Sequence, residues 1–486
     1  MTGKLKRYIS LDVLRGIAII AVFSFHILNF SFDKDAAIAD PGIGAYIFMI
    51  LLIFLAEFDV LFTGLSALVN VISIDRKWNR IMNDWEGDPR EGKKFAFRTI
   101  LKTQLIRGFF IILCAYVAEV LLNHMLLYAI MSRPNIVNEA VSMLFRSHIL
   151  WLIGVGLIIT SVTYLLMKRA DWSKKKMIIA LIIISLCTLL VVTPFLQWLY
   201  PALGFPNKPG DESVWTTTGW GTNILRIFLA PIIKDDFPLF PDVSIMFIGV
   251  IIGFLISGGQ VEKKHLNRLF IASIILFVVG AGVYLLEDAL YPILDSFSDP
   301  VKAINVKAGE YIMTTGGAIL AIIIFLYLID IRRGRKEVKF FYFQRFGTVS
   351  LTLWMLQWAM AFPLGLLNLI INWITGSTTI LSDGVLFTKG LNGYGVIGEI
   401  LYIIVFWSII LWFWQKINFV GSFEWMTVKL MGGKRGHERA KISDAIVNVE
   451  SLSDPPQKYY KWYMIVLFFF VFLVFCVLFL YLTQLL

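Results

Sequence analysis

Residues 7–30 have the sequence RYISLDVLRGIAIIAVFSFHILNF, a hydrophobic stretch that contains an arginine and a histidine. Ten residues separate Arg15 from His26. Eleven helical steps of about 100° return almost to the starting direction, so both side chains share one helix face. Along the axis they lie roughly 16 Å apart, about half the thickness of a hydrocarbon core. The stretch predicts a membrane helix with a cation near one surface and a titratable ring near the interior, a spacing that suits a long anionic substrate.

The composition predicts an all-α, polytopic membrane protein. Of the 486 residues, 58% are hydrophobic and 16% are charged, whereas soluble domains carry about 25% charged residues. Apolar stretches long enough to span a bilayer recur along the whole chain. The net charge of +10 is explained by basic residues in alternate connections, so we expect no nucleic-acid partner.

Several kinds of site lack support in the sequence. The three cysteines lie in apolar runs without the spacing of a disulfide framework or a zinc site, and we expect no metal centre. No phosphate-binding glycine loop, GxSxG elbow or HExxH motif occurs, which argues against ATP-driven transport and metalloprotease activity. The first hydrophobic segment lacks a small-residue cleavage site and is predicted to be a retained helix.

The hydrophobic pattern predicts about eleven transmembrane helices, a core of about ten followed by one additional helix. The predicted spans lie near residues 11–30, 45–73, 99–122, 143–167, 176–199, 241–258, 268–287, 309–331, 346–373, 396–418 and 459–485. The predicted domains are a transmembrane core at 1–431, a polar cytoplasmic linker at 432–458 and a C-terminal transmembrane helix at 459–486.

Basic residues alternate between connections. The first, fifth and seventh connections carry few of them, whereas the second is rich in them, with Arg76, Lys77, Arg80, Arg90, Lys93, Lys94 and Arg98. Because cytoplasmic loops carry the excess of lysine and arginine, the N-terminus is predicted to be cytoplasmic and the C-terminus outside. We expect a multi-pass protein of the cell membrane.

His26 is the first candidate for chemistry. A histidine well inside a span is suited to act as a general base for an acceptor hydroxyl or amine, or is held by a hydrogen bond to another helix. Glu57 and Asp59 lie two residues apart in the second span and cannot face the same way. One of them is expected to support the imidazolium of His26; the alternative is a structural partner for a basic residue elsewhere.

Four cations are candidates for binding an anionic donor. Arg15 near the cytoplasmic surface is suited to a phosphate, or is an interfacial arginine paired with Asp12. Arg98 and Lys102 stand four residues apart at the cytoplasmic entry of the third span, and Arg107 lies deeper. Ordinary enrichment of basic residues at the cytoplasmic side is the alternative for this group.

Three residues are candidates for contact with an acceptor. Arg146 and His148 begin the fourth span at its outer end, and Gln357 is a polar group within SLTLWMLQW. Each of them alone is also typical of a hydrogen bond between helices.

Several segments resemble the transmembrane acyltransferase superfamily, which includes acyltransferase family 3, the heparan-α-glucosaminide N-acetyltransferases and YeiB-like proteins. SLDVLRGIAIIAVFSFH resembles the first helix of acyltransferase family 3, in which an arginine precedes a histidine by ten intervening residues. LFTGLSALVN and FPLFPDVSIMFIGVIIGFLISG are similar to the second-helix end and the sixth-span segment. FGTVSLTLWMLQW and FVGSFEWMTVKLMGG resemble the late pattern of YeiB-like members.

The resemblance implies a fold and a reaction. Acyl-CoA would enter from the cytoplasm, with Arg15 binding the donor and His26 acting as the base. The chain departs from acyltransferase family 3 at Gln357, where many members have histidine, and from the heparan enzymes at His26, where they have asparagine. These departures concern the substrate more than the reaction class.

The sequence therefore predicts an integral membrane acyltransferase. It would transfer an acetyl or other short acyl group from acyl-CoA to an extracytoplasmic glycan, glycolipid or lipid-linked sugar, in contact with the lipid bilayer and without a metal. The alternatives are a proton-coupled secondary transporter of an anionic solute and a membrane scaffold. A homodimer is compatible with each of them.

Overall fold

The computed structural model describes residues 8–32, 58–118, 148–192, 237–257, 263–294, 308–331, 341–375 and 393–432, with single positions at 195, 199, 232 and 391. Almost all of these residues are helical, and their only β-type pairing is the isolated bridge between Phe32 and Leu391. The predicted fold class, an all-α polytopic membrane protein, is confirmed.

Thirteen α-helices cover the described residues. Their bounds are α1 Ile9–Ser31, α2 Phe58–Asn83, α3 Pro89–Tyr116, α4 Ile149–Arg169, α5 Lys174–Cys187, α6 Leu239–Ile256, α7 Lys263–Leu294, α8 Ala308–Phe325, α9 Phe341–Thr348, α10 Ser350–Met355, α11 Ala361–Thr375, α12 Gly393–Gln415 and α13 Phe423–Gly432. Helices α5 and α8 continue as π-helical turns at Thr188–Val192 and Leu326–Ile331, and a 3-10 turn at Gln357–Met360 joins α10 to α11.

Eight of the described helices are long and apolar enough to cross a membrane. They correspond to the predicted spans that begin near residues 11, 99, 143, 176, 241, 268, 309 and 396. Of the other three predictions, the span 45–73 is described from Phe58 onward, and the span 346–373 is interrupted. The linker at 432–458 lies beyond the described residues except for its first position, and the C-terminal helix at 459–486 lies wholly beyond them.

The basic second connection is helical where a loop was expected. Helix α2 continues to Asn83, and α3 already begins at Pro89, ten residues before the predicted span. Asp88 starts α3 by accepting a hydrogen bond from the backbone N–H of Arg90 at 3.0 Å, with Pro89 in the first turn. An aspartate cap followed by proline is a strong helix start. All seven basic residues assigned to this connection are therefore carried on α2 or α3.

The described residues form two compact units. The terminal unit contains α1 and α9–α13, and the central unit contains α2 from Val60 onward and α3–α8.

In the terminal unit, α1 crosses α9 at two glycines. A Cβ on Gly16 would lie 1.9 Å from the backbone oxygen of Phe343, and a Cβ on Gly347 would lie 1.8 Å from that of Asp12. Only glycines permit backbones to approach so closely, as is common between membrane helices. Farther along α1, the ring of Phe23 stacks on that of Trp407 of α12 with centroids 5.9 Å apart, so α1 is held at two levels.

The predicted span 346–373 is not one continuous helix. It is divided by Val349, with φ −116° and ψ 35°, and by Leu356, with φ −93° and ψ 10°. The six-residue helix α10 lies between these interruptions. Interrupted backbone at membrane depth is tolerated only where protein or water satisfies its polar groups.

In the central unit, small residues set the packing of helix pairs. A Cβ on Gly249 of α6 would lie 2.3 Å from the backbone oxygen of Gly64, and one on Gly253 would lie 2.5 Å from that of Leu68, so α2 and α6 run in the same direction. Helix α3 packs against α4 at Gly108 and Gly154, where the backbone oxygen of one lies within 3.0 Å of a Cβ built on the other. Helix α6 is buried over most of its length.

Other helices of the central unit keep apolar faces exposed. Ile271, Val278 and Leu285 of α7 are each more than half exposed. They recur at seven-residue intervals and form one apolar stripe along the helix, as expected for a surface that faces lipid.

Candidate active site

Arg15 and His26 both lie on the continuous helix α1, as predicted. Both are part-exposed, in a helix whose other side chains are mostly buried. Between them on the same face lie Ile19 and Val22, which are 0% and 2% exposed. The arginine and histidine therefore keep part of their surface exposed, whereas the apolar stripe that separates them is covered by protein.

In the terminal unit, the side chain of Gln357 contacts His26. A side-chain hydrogen bond joins the two residues, and Gln357 is buried, with 4% of its surface exposed. The ring of Phe25 lies edge-on to the imidazole at 5.4 Å between centroids. Gln357 was predicted to contact an acceptor; in the structure it holds the predicted catalytic histidine.

The chain geometry explains how Gln357 reaches this position. Leu356 ends α10 with non-helical torsion angles, and Gln357 opens the following 3-10 turn. In an uninterrupted α-helix, each residue is rotated by about 100° from the one before it, which would fix the direction of the side chain at 357. The interruption therefore sets the direction of Gln357. The only signal for this role in the sequence is the resemblance to acyltransferase family 3, in which many members have histidine at this position.

Arg107, predicted to bind the donor, lies in the central unit and forms hydrogen bonds within it. It donates from Nη1 to Asn70 Oδ1 at 2.9 Å, and Asn70 donates from Nδ2 to Ser161 Oγ at 2.9 Å. One turn earlier on α3, Thr103 accepts a hydrogen bond from Lys77 Nζ at 2.9 Å. These contacts connect α3, α2 and α4 through polar groups.

Arg98 and Lys102 occupy a different face of α3. Both are exposed. Lys102 lies in line with Ile106 and Phe109, which are 36% and 62% exposed. Nine helical steps of about 100° separate Arg98 from Arg107, so those two side chains point in opposite directions. The three predicted donor-binding cations of α3 therefore do not form one cluster.

An ion pair of the central unit was not predicted from the sequence. Asp75 lies just beyond the predicted end of its span, and its Oδ1 accepts from Lys168 Nζ at 2.6 Å and from the Tyr164 hydroxyl at 2.8 Å. Asn79 and Ser257 complete the set of hydrogen bonds around the carboxylate. Burial alone would raise the pKa of Asp75, but Lys168 and these hydrogen bonds outweigh it and hold the pKa below its usual value.

His148 occupies the N-cap position of α4 but makes no capping hydrogen bond with its side chain. Only 9% of its surface is exposed, and among the described residues its buried Nε2 atom has no hydrogen-bond partner. Asp242, near the start of α6, is also buried and hydrogen-bonded to Tyr311 of α8. Asp242 was not predicted from the sequence, although the proline that precedes it at a helix start was a usable signal.

The remaining predicted residues are outside what the structure describes. Glu57 and Arg146 fall in undescribed segments, and Asp59 lies in the first turn of α2 with only its backbone described. In the described part of the chain, no group of three or more histidine, cysteine, aspartate or glutamate side chains is placed to hold a metal ion.

Comparison with known proteins shows the family to which this chain belongs. Residues 8–387 match the model of the acyltransferase family 3 domain, which covers both Arg15 and His26 and extends beyond Gln357. The chain belongs to acyltransferase family 3. It is therefore a membrane acyltransferase in general terms. No curated protein and no solved structure gives a significant match.

Proposed function

We propose that this acyltransferase transfers an acetyl or other short acyl group from cytoplasmic acyl-CoA to a hydroxyl or amine of an extracytoplasmic glycan, glycolipid or lipid-linked sugar. The observation that carries the proposal is the pair formed by His26 and Gln357. An imidazole on a part-exposed residue, held by an amide in an apolar helix, is the arrangement expected of a general base. Its place on the helix that also carries Arg15 supports binding of a long anionic donor.

The proposed chemistry is a direct transfer. His26 accepts the proton of the acceptor hydroxyl or amine while that oxygen or nitrogen attacks the thioester carbonyl. The tetrahedral intermediate then collapses, the carbon–sulfur bond breaks, and the thiolate of CoA takes the proton from the imidazolium. The products are the acylated acceptor and free CoA, and no further reactant is needed because the thioester is already activated.

The other predicted residues take supporting roles in this proposal. Arg15 would bind a phosphate of the donor. On their separate faces of α3, Arg98, Lys102 and Arg107 would each add positive potential that attracts the anionic donor, without forming one common binding site. Glu57 or Asp59 would stabilise the imidazolium, and Arg146 and His148 would contact the acceptor. We propose a multi-pass protein of the cell membrane with a cytoplasmic N-terminus and an external C-terminus, as the distribution of basic residues favours.

The test is an assay of the full chain in liposomes with labelled acetyl-CoA. We expect slow release of CoA in the absence of acceptor, faster release with extracted membrane glycans, and loss of both in His26→Ala. His265→Ala, which changes a histidine of α7 in the central unit, is the matched control and should retain activity. Equal activity of the His26→Ala variant and the wild type would exclude the proposed base.

The alternative, a proton-coupled transporter, is favoured by one observation. The span at 341–375 is interrupted beside His26, and interrupted helices carry the substrate sites of many transporters. The same liposomes separate the two functions. Uptake of an anionic solute driven by a proton gradient, without cleavage of the thioester, would favour the transporter.

A further inference from the structure

Glu424 connects two elements of the terminal unit that are far apart in sequence. It lies at the start of α13, and its Oε1 accepts hydrogen bonds from the backbone N–H groups of Leu351 at 2.5 Å and Thr352 at 3.3 Å. Its Oε2 accepts from the Thr352 hydroxyl at 2.5 Å. In return, Thr352 Oγ1 accepts from the backbone N–H of Phe423 at 2.8 Å. The start of α13 and the start of α10 are thus joined by four hydrogen bonds.

Helix α10 needs an external cap. It has six residues, and the residue at its N-cap position, Val349, has no side chain able to accept from the first N–H groups. Helices of this length are not stable alone, and uncapped N–H groups are costly away from water. Glu424 supplies the missing acceptor from a position more than 70 residues later in the chain.

The capped helix leads directly to the candidate active site. Only Leu356 lies between the end of α10 and Gln357, which is hydrogen-bonded to His26. The distance along the chain from Leu351 to Gln357 is six residues, or roughly 9 Å in a helix. A shift of α10 at its first turn would therefore move the amide that holds the imidazole.

We propose that Glu424 is a positioning residue for the pair formed by His26 and Gln357, acting through α10. The inference rests on the proposed function, and it assigns a role to α13, which lies beyond the residues that match the family domain. A carboxylate suits this role because each oxygen accepts independently, one from the backbone and one from the hydroxyl. A glutamine retains one accepting oxygen and should preserve part of the connection.

The kinetic test uses a double-mutant cycle on the full chain. In Glu424→Ala we expect kcat to fall on the order of 10- to 100-fold with little change in KM for acetyl-CoA, since misplacement of a catalytic group affects the chemical step. Glu424→Gln should recover much of the loss. In the Gln357→Ala background, Glu424→Ala should have little further effect, because both changes release the same contact.

A second measurement does not depend on acyl transfer. Diethyl pyrocarbonate modifies accessible neutral imidazoles, and mass spectrometry of the peptide that contains His26 gives its rate in the folded protein in micelles. We expect the rate at His26 to rise several-fold in Glu424→Ala and in Gln357→Ala alike. Asp75→Asn is the matched control, because it breaks a comparable buried carboxylate network in the central unit and should leave the rate at His26 unchanged.

The outcomes distinguish this inference from the proposed function. If no variant cleaves the thioester but His26 labelling responds to Glu424 as expected, the proposed function fails and the positioning role stands. If Glu424→Ala lowers the unfolding temperature yet leaves kcat and labelling unchanged, the positioning role is wrong. Should Glu424→Ala not fold, Thr352→Val removes the hydroxyl to Oε2 with little change in shape and is judged by the same two criteria.

Discussion

Asp75 of the central unit and His26 of the terminal unit are held in different ways by their surroundings. In the central unit, Asp75 is matched by Lys168 and Tyr164, and Arg107 donates to Asn70. In the terminal unit, His26 keeps part of its surface accessible and is held by an uncharged amide beside an interruption of the backbone. Compensated charges of the first kind hold helices together, whereas an accessible ionisable group in a membrane helix is typical of a functional site.

The largest expected effect separates activity from stability. His26→Ala should lower acyl transfer by on the order of 10²–10⁴-fold, the usual contribution of a general base, with little change in unfolding temperature. Asp75→Asn should have the opposite profile, with a lower unfolding temperature and kcat near that of the wild type. Acyl-transfer activity and unfolding temperature should be measured for both variants. If either variant shows the profile expected of the other, the contrast between His26 and Asp75 is wrong.

The next largest effect is on stability, and it is the contribution of Asp75 and its dependence on pH. Removing one partner of a buried ion pair costs about 3–5 kcal/mol, so Asp75→Asn should lose stability of this order at neutral pH. Because the folded state lowers the pKa of Asp75, its contribution is present above the ordinary value of 3.8 and is lost as pH falls through the lowered value. Denaturant titrations in micelles from pH 7 to pH 3 should show the two proteins converging in acid; a constant difference would contradict this account.

A smaller effect is expected at the crossing of α1 and α9. Gly16→Ala places a methyl group against the backbone of Phe343 and should cost about 1–3 kcal/mol, with some loss of activity because His26 lies on the same helix. Gly282→Ala is the control, since a Cβ there meets nothing within 4 Å. That substitution should be neutral or slightly stabilising. Equal stability of the two variants would mean that the crossing is not a close contact.

The smallest effects distinguish the proposed donor-binding cations. Arg15→Ala should weaken acetyl-CoA binding about tenfold while changing kcat less, as expected for loss of a charged hydrogen bond. Lys102→Gln, which alters an exposed charge, should weaken it only about two- to threefold. Isothermal titration with CoA checks both values. Unchanged affinity in Arg15→Ala would remove that residue from the donor site.

Much of the fold was predictable because the hydrophobic effect acts locally in a membrane chain. An apolar run of about 20 residues is typical of a span, and the spans at α1, α6, α8 and α12 begin and end within about three residues of their predicted bounds. The face shared by Arg15 and His26 was predictable for the same reason, since helical periodicity fixes it.

Helical periodicity and hydrophobicity did not predict which polar side chains form hydrogen bonds or ion pairs between helices. The contact of His26 with Gln357 depends on two interruptions, at Val349 and Leu356, and neither residue is a glycine or a proline that would indicate a break. The acceptor that stabilises the first interruption, Glu424, comes from a distant helix. Asp75 and Lys168 likewise meet only because α2 and α4 pack together, so composition indicates charged residues there but not their pairing.

The contact between Gly16 and Gly347 has a consequence for biogenesis. Helix α1 leaves the ribosome before α9, the helix that it meets backbone to backbone, which is encoded about 330 residues later. At roughly 5–20 residues per second, α1 waits on the order of 15–65 seconds for that neighbour. During this interval its arginine and histidine need shelter from lipid. We therefore expect the nascent chain to remain with the insertion machinery until α9 has been made, while α2–α8 assemble in the meantime.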